Sequence, residues 1–181
     1  MRVPVWAQRL GFRALRRVPE TATTRAAHVV LPTSLLGAMA WVTRPDDGRV
    51  LLVKPTYRPA WILPGGLLQR HEAPRDGAVR ETVEETGLEI RLTGEPVVVV
   101  DLAARVVDVV FAAAPAPGVG AAVLDALRPR SPEIDEVAWV AAEEVPDRCG
   151  SMRHKVTALA RADELGSRVL VLRSPDEPLG L

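Results

Sequence analysis

The chain has 181 residues, 48% hydrophobic and 25% charged, which suits one globular domain with modest extensions and lies far from disordered or fibrous compositions. Lysine plus arginine and aspartate plus glutamate each number 23, so the whole molecule has no net field to draw in nucleic acid or an anionic membrane. A single cysteine, Cys149, excludes an internal disulfide and, with no clustered histidines beside it, a thiolate zinc site.

Residues 1–27 hold Arg2, Arg9, Arg13, Arg16, Arg17 and Arg25 against one acid, Glu20, with Val5, Trp6, Leu10, Ala14 and Val18 at near-helical spacing. This reads as a basic amphipathic N-terminal extension, suited to packing on the domain or a second subunit, or to docking on anionic lipid. It lacks the apolar block of a signal peptide, and no apolar run reaches the roughly 20 residues that span a bilayer. A cytoplasmic protein is expected.

Residues 28–181 read as one domain. Residues 35–42 and 50–53 are short apolar strands, and Arg44-Pro45-Asp46-Asp47-Gly48 between them supplies turn chemistry, which predicts a hairpin. An irregular segment with Tyr57 and Trp61 leads into Gly65-Gly66, where the backbone can take positive φ. Pro74 suits a first helical turn and Gly87 the position past a helix end, so the spacing predicts a helix over Pro74–Thr86. Two β-branched-rich strands follow at 97–102 and 105–112, then a Pro/Gly/Ala-rich loop over 113–122. Residues 137–140 predict another strand, 151–165 a closing helix, and 169–172 a last apolar run. Strands alternating with helices give a mixed α/β class.

Placed on a helix at about 100° per residue, Arg80-Glu81-Thr82-Val83-Glu84-Glu85 brings Glu81, Glu84 and Glu85 into one sector, at spacings i, i+3 and i+4. Val79, Thr82, Val83 and Thr86 are expected on the opposite, packing face. Three neighbouring carboxylates repel one another unless cations neutralise them. Hard oxygen donors without Cys or His suit Mg²⁺ or Mn²⁺, and Mg²⁺ commonly bridges carboxylates and substrate phosphates. A run such as Glu-x-x-Glu-Glu alone is more often a solvated helix face, so the surrounding residues decide.

Those residues are Gly66, five more, Glu72, seven more, Arg80-Glu81, two more, Glu84-Glu85, one more, then Gly87-Leu88. This resembles the Nudix box of the Nudix hydrolase family, and Trp61-Ile62-Leu63-Pro64-Gly65-Gly66 is similar to that family's lead-in. Thr82 departs from the bulkier aliphatic residue usual there, and Gly77 from an alanine, at up to about 1 kcal/mol. Neither change removes a ligand.

The resemblance implies a Nudix fold, a mixed β-sheet sandwiched between helices. It also implies an Mg²⁺-dependent hydrolase, with Mn²⁺ as substitute, that cleaves the diphosphate bond of a nucleoside diphosphate linked to another moiety. On the matching positions, Glu81, Glu84 and Glu85 are the implied metal ligands and source of general-base help, and the Gly65 carbonyl adds a backbone oxygen. Arg80 would orient the carboxylates, with Glu72 behind them. One more carboxylate is expected from the loop before the late strand: Glu133, six residues ahead of Trp139, with Asp135 and Glu136 as alternatives. The implied reaction is attack of a metal-activated water on one phosphorus, without a covalent protein intermediate.

Tyr57, Arg58 and Trp61 stand just before the Gly-Gly loop and could line the substrate mouth, an aromatic stacking a base and an arginine holding phosphate; ordinary loop packing is the alternative. The histidines His28, His71 and His154 read as ordinary, and Cys149 as inert because no paired base accompanies it. Family subgroups carry tags downstream of the box: a proline for ADP-ribose enzymes, a tyrosine for dinucleoside polyphosphate enzymes, an aromatic-proline-serine for NADH enzymes. The region around residues 104–106 carries none, which favours a (deoxy)nucleoside triphosphate or an oxidised nucleotide. A Nudix module that senses a nucleotide or ADP-ribose without cleaving it is the alternative function. Isoprenoid diphosphate isomerisation would need a cysteine between residues 35 and 66, and there is none. A homodimer is expected from the resemblance.

Overall fold

In a computed structural model, the structure describes residues 33–150, 153–157, 162, 164, 166–174 and 177–180. The chain divides into two compact units, Met1–Ser34 and Leu35–Leu181, and nearly all of the first, with the predicted amphipathic extension and His28, lies outside the described residues.

In chain order the second unit runs β1 (Leu35–Val42), β2 (Val50–Pro55), β3 (Gly65–Leu67), α1 (Pro74–Thr86), β4 (Ile90–Leu92), β5 (Val97–Asp101) and β6 (Val106–Pro115). It continues with α2 (Ala121–Asp125), β7 (Ile134–Val140), a 3₁₀ turn (Ala142–Glu144), α3 (Val145–Arg148), α4 (Arg153–Val156), β8 (Val169–Ser174) and β9 (Glu177–Gly180). Among the described residues seven strands form one sheet in the order β3-β1-β6-β5-β8-β9, with β4 also on β6, while β2 and β7 form a separate antiparallel pair. The sheet is mixed: β1 runs parallel to β6 and β5 to β8, and the other pairings are antiparallel. The α/β class with helices on a mixed sheet is therefore as the sequence predicts.

The predicted β1–β2 hairpin is corrected. The turn forms, with Arg44 N–H donating to the Arg49 carbonyl at 2.7 Å, but β1 and β2 meet only at the Thr43–Val50 bridge before entering different sheets. Residues 50–55 are buried at five of six positions, so β2 finds its partner across the core, in β7. The predicted 113–122 loop is corrected as well, since β6 extends through Pro115 and the backbone then turns into α2. Alanine's weak strand preference hid the end of β6, where Ile90–Leu92 supplies ladder partners.

Helix α1 has the predicted bounds, with Pro74 in its first turn and Gly87 at φ 74°, where its N–H donates to the Val83 carbonyl at 2.8 Å. Its buried face is Ala78, Thr82, Glu85 and Thr86, against Ala38, Ala40 and Val42 of β1 and the neighbouring strands. Val83, expected on that face, is exposed, and Glu85 takes the inward position. Small residues on both elements let helix and sheet approach closely. Thr82 needs no aliphatic bulk there, because its hydroxyl donates to the Ala78 carbonyl at 2.8 Å. The opposite sheet face (Met39, Val97, Val99, Val110, Leu170, Leu172) is covered by β2, β7, α3 and α4 through Leu52, Val140, Val145, Cys149 and Val156. Of the predicted 151–165 helix, residues 153–156, 162 and 164 are helical and much of the rest lies outside the described residues. Among the described residues no helix is long and apolar enough to cross a membrane.

The β3–α1 connection turns at Gln69–Glu72, with His71 at φ 66°. Such a backbone suits glycine or asparagine better than histidine. His71→Gly is expected to stabilise the protein by up to about 1 kcal/mol in urea unfolding, with hydrolysis unchanged.

Candidate active site

The three glutamates of α1 occupy three different environments. Glu85 is 8% exposed and accepts the Gly65 backbone N–H at 3.1 Å, whereas the Glu81 side chain is partly buried and that of Glu84 is 56% exposed. The difference follows from 100° steps around a helix whose inward line is Ala78, Thr82 and Glu85. Strand β3 crosses the helix so closely that a Cβ on Gly66 would stand 2.8 Å from the Glu81 carboxyl carbon. Gly66 is thus the residue that lets a strand backbone lie against a carboxylate.

Burial, reinforced by the charges of Glu81, Glu133 and Glu84 and opposed by the Gly65 N–H, pushes the Glu85 carboxyl up to about 8. Arg80 holds the rest of the cluster together. Its Nε and Nη2 donate to Glu72 Oε1 at 2.7 Å and Oε2 at 3.0 Å, and its Nη1 donates to Glu81 Oε1 at 2.8 Å and Glu84 Oε2 at 3.0 Å. The Arg80 grip, with a backbone N–H from Gln69, holds the Glu72 carboxyl down at about 2.

Glu133 sits at the foot of β7 on a loop fixed at three points. Arg130 N–H donates to the Glu85 carbonyl at 2.9 Å, Glu133 N–H to Ser131 Oγ at 3.2 Å, and Thr56 N–H to the Glu133 carbonyl at 2.9 Å. The Glu133 charge acts on Glu85. Glu136 instead faces Lys54 across the β2–β7 pair, and Asp135 also acts on Lys54, so of the three candidates Glu133 is the one the structure couples to the acidic helix.

Tyr57 and Arg58 are exposed and stacked, with the guanidinium 5.5 Å from the ring centre. Trp61 packs partly buried against the core, with Lys54 Nζ 6.0 Å from its ring. Their segment is tied to the Glu133 loop through Thr56. Cys149 is fully buried and burial pushes its thiol up to about 12, which suits an inert core residue. Two open clefts of about 410 and 430 Å³ flank the two ends of α1, and neither is lined by the box glutamates.

Sequence reasoning missed a second buried charged group. Asp108 and Lys155 are 3% and 5% exposed and pair at 2.9 Å, with Asp101 Oδ2 3.8 Å from the same ammonium. The available signal was one aspartate inside Val106-Val107-Asp108-Val109-Val110-Phe111, where an apolar residue would complete the run.

As a donor set, Glu81, Glu84, Glu85 and Glu133 fit a hard divalent cation: all oxygen, one of them buried, and only the Arg80 guanidinium among them to offset their charge. Among the described residues no three such groups already stand in a ligating arrangement. Arg80 Nη1 holds one oxygen of Glu81 and one of Glu84, which leaves the second oxygen of each outside its grip.

The NUDIX domain model matches residues 33–160. A MutT-like protein of Streptomyces ambofaciens is 29% identical over 151 residues, covering 83% of this chain and 88% of that one. Among solved structures, a NUDIX hydrolase from Nitrosomonas europaea aligns with a TM-score of 0.57 at 24% identity, over 74% of this chain and 72% of the other. The NUDIX domain of Shewanella oneidensis NrtR, complexed with ADP ribose, aligns with a TM-score of 0.54 at 19% identity, over 84% and 97%. Enzymes of this family generally use divalent metal ions. The chain belongs to the NUDIX family and is a Nudix hydrolase, an enzyme acting on phosphorus anhydrides.

Proposed function

We propose that the chain cleaves the diphosphate bond of a nucleoside diphosphate linked to another moiety, with a (deoxy)nucleoside triphosphate or oxidised nucleotide as preferred substrate and Mg²⁺ (or Mn²⁺) as cofactor. The observation that carries this reading is the buried Glu85 carboxylate beside Glu81, Glu84 and Glu133, an acidic group that becomes stable at neutral pH when a cation joins it. Glu81, Glu84, Glu85 and the Gly65 carbonyl would hold the cation, which supplies charge neutralisation on the diphosphate and a more acidic water. Arg80 keeps Glu81 and Glu84 in register, through a guanidinium itself fixed by Glu72. Glu133, whose charge acts on Glu85, would accept a proton from the attacking water or help to orient it. Tyr57, Arg58 and Trp61 contact the base and the distal phosphate.

The decisive experiment incubates the protein and its Glu84→Gln variant with Mg²⁺ and nucleoside triphosphates, oxidised nucleotides, ADP-ribose, NADH and dinucleoside polyphosphates, and quantifies released phosphate and nucleotide. Cleavage of one substrate by the protein alone supports the reading. If every substrate stays intact while ADP-ribose or a nucleotide raises the Tm, the protein is a sensing module, a reading favoured by the fold it shares with a domain complexed with ADP ribose. Within the enzyme reading, alanine at Tyr57, Arg58 or Trp61 raises KM by about tenfold in at least one variant and leaves kcat nearly unchanged. Unaltered KM in all three sinks their assignment. The reading also makes the protein a cytoplasmic homodimer, and a monomer in sedimentation would remove the dimer.

A further inference from the structure

We propose that the buried Asp108–Lys155 pair is a positioning element for the metal-binding strand, bracing the Gly65–Gly66 backbone from the side opposite Glu81. The inference rests on the metal-dependent reading of the acidic helix.

Asp108 lies on β6 directly opposite Gly37 of β1, and Gly37 in turn lies opposite Leu67 of β3. A Cβ on Gly37 would stand 2.5 Å from Asp108 Oδ1 and 3.3 Å from the Gly66 carbonyl oxygen, so the aspartate takes the space that Gly37 leaves open, next to the backbone that pairs with β3. On the upper side, the space beside Gly66 is taken by the Glu81 carboxylate. Asp108, the Gly37–Gly66 backbone and Glu81 therefore form three stacked layers, with the strand in the middle.

Met39, Val97, Val99, Val110, Leu170 and Leu172 on this sheet face are apolar, and Asp101 at the end of β5 is a second carboxylate near Lys155. An aliphatic residue at 108 would continue that surface without desolvating a charge, and apolar replacements of buried ion pairs are often neutral or stabilising. What the carboxylate adds is directional. Lys155 Nζ stands 2.9 Å from Asp108 Oδ2 and 3.8 Å from Asp101 Oδ2, which ties α4 to the centre of the sheet and fixes the rotamer that sends Oδ1 under Gly37. Asp108 Oδ2 has no hydrogen bond of good geometry despite its burial, so its hold comes from the ammonium's charge.

The test uses the full chain and the variants Asp108→Asn, Lys155→Met, Asp108→Asn/Lys155→Met and Gly37→Ala. Mn²⁺ affinity is read from the spin-resonance signal of free Mn²⁺, and unfolding temperature without metal is read in parallel. Expected is a loss of Mn²⁺ affinity of about tenfold or more in Asp108→Asn and in Gly37→Ala. The double variant, which removes both charges of the buried pair, recovers the unfolding temperature but not the affinity. If the single variants lose only stability and the folded double variant binds Mn²⁺ like the parent, the pair is structural and the proposal is overturned. If the parent itself binds no Mn²⁺, it is the metal-dependent reading that fails, and the positioning proposal falls with it.

Discussion

Glu85→Gln is expected to lower hydrolysis by about 10²–10⁴-fold and, in the same protein freed of divalent cations, to raise its stability at pH 8. Both effects come from one carboxylate at 8% exposure. Its folded value of about 8 lies above the ordinary 4.5, so the folded state keeps the proton that the unfolded chain has already released. Stability from this group is fully present below about pH 4.5 and is lost as pH rises toward 8. The loss for a group this buried is roughly 3–5 kcal/mol in metal-free protein. Glutamine keeps the shape and an acceptor for the Gly65 N–H but has nothing to ionise, which flattens the curve. Urea unfolding in chelator at pH 5 and pH 8 measures it, and Mg²⁺ should stabilise the parent far more at the higher pH. A parent curve flat across this range would remove Glu85 from the ionising cluster.

Arg80→Ala should be the second most damaging change. One guanidinium serves three carboxylates, gripping Glu72 through two nitrogens and reaching Glu81 and Glu84 with the third. Its loss leaves Glu72, Glu81, Glu84 and Glu85 within one patch without a protein cation among them, so repulsion opens the end of α1 facing β3. The expected outcome is a fall in kcat/KM of about 10–100-fold and a lower Tm without metal, partly recovered by excess Mg²⁺. Arg80→Lys keeps charge but not the fork that grips both Glu72 oxygens, and should fall between parent and Ala. Unchanged kcat/KM and Tm in both variants would show that the guanidinium organises nothing here. The same pair sets the acid limit. The Glu72 carboxyl, held at about 2 below its ordinary 4.5, contributes stability that is present above pH 4.5 and lost as pH falls toward 2.

Local chemistry made the catalytic helix legible: Pro74 at its start, Gly87 past its end and three glutamates at helical spacing act within one segment. The partners of β2 were not legible, because an Asp/Gly turn specifies a reversal of the chain but not whether the second strand stays beside the first. A helical wheel placed Glu85 with the other glutamates, but which edge of an acidic face turns inward is decided by where β3 crosses it. Val83 gives up the inward position to Glu85 because the Gly65 N–H offers the carboxylate a partner there. Asp108 and Lys155 lie far apart in sequence and meet only through the β1–β6 register and the placement of α4, so nothing local announces the pair.

The parallel pairing of β1 with β6 sets a schedule for the newborn chain. Leu35 is hydrogen-bond neighbour to the Val106 strand, and the whole of the acidic helix is made between the two. While a ribosome is still adding residues before Val106, the helix has no finished sheet to lie on, β3 has no braced neighbour, and Glu133 does not yet exist. Non-local parallel ladders close slowly because the intervening chain must first give up its freedom. An N-terminal fragment ending at Gly87 should therefore hold every residue of the box and hydrolyse nothing, and refolding of the full chain should regain activity no faster than it regains the β1–β6 ladder.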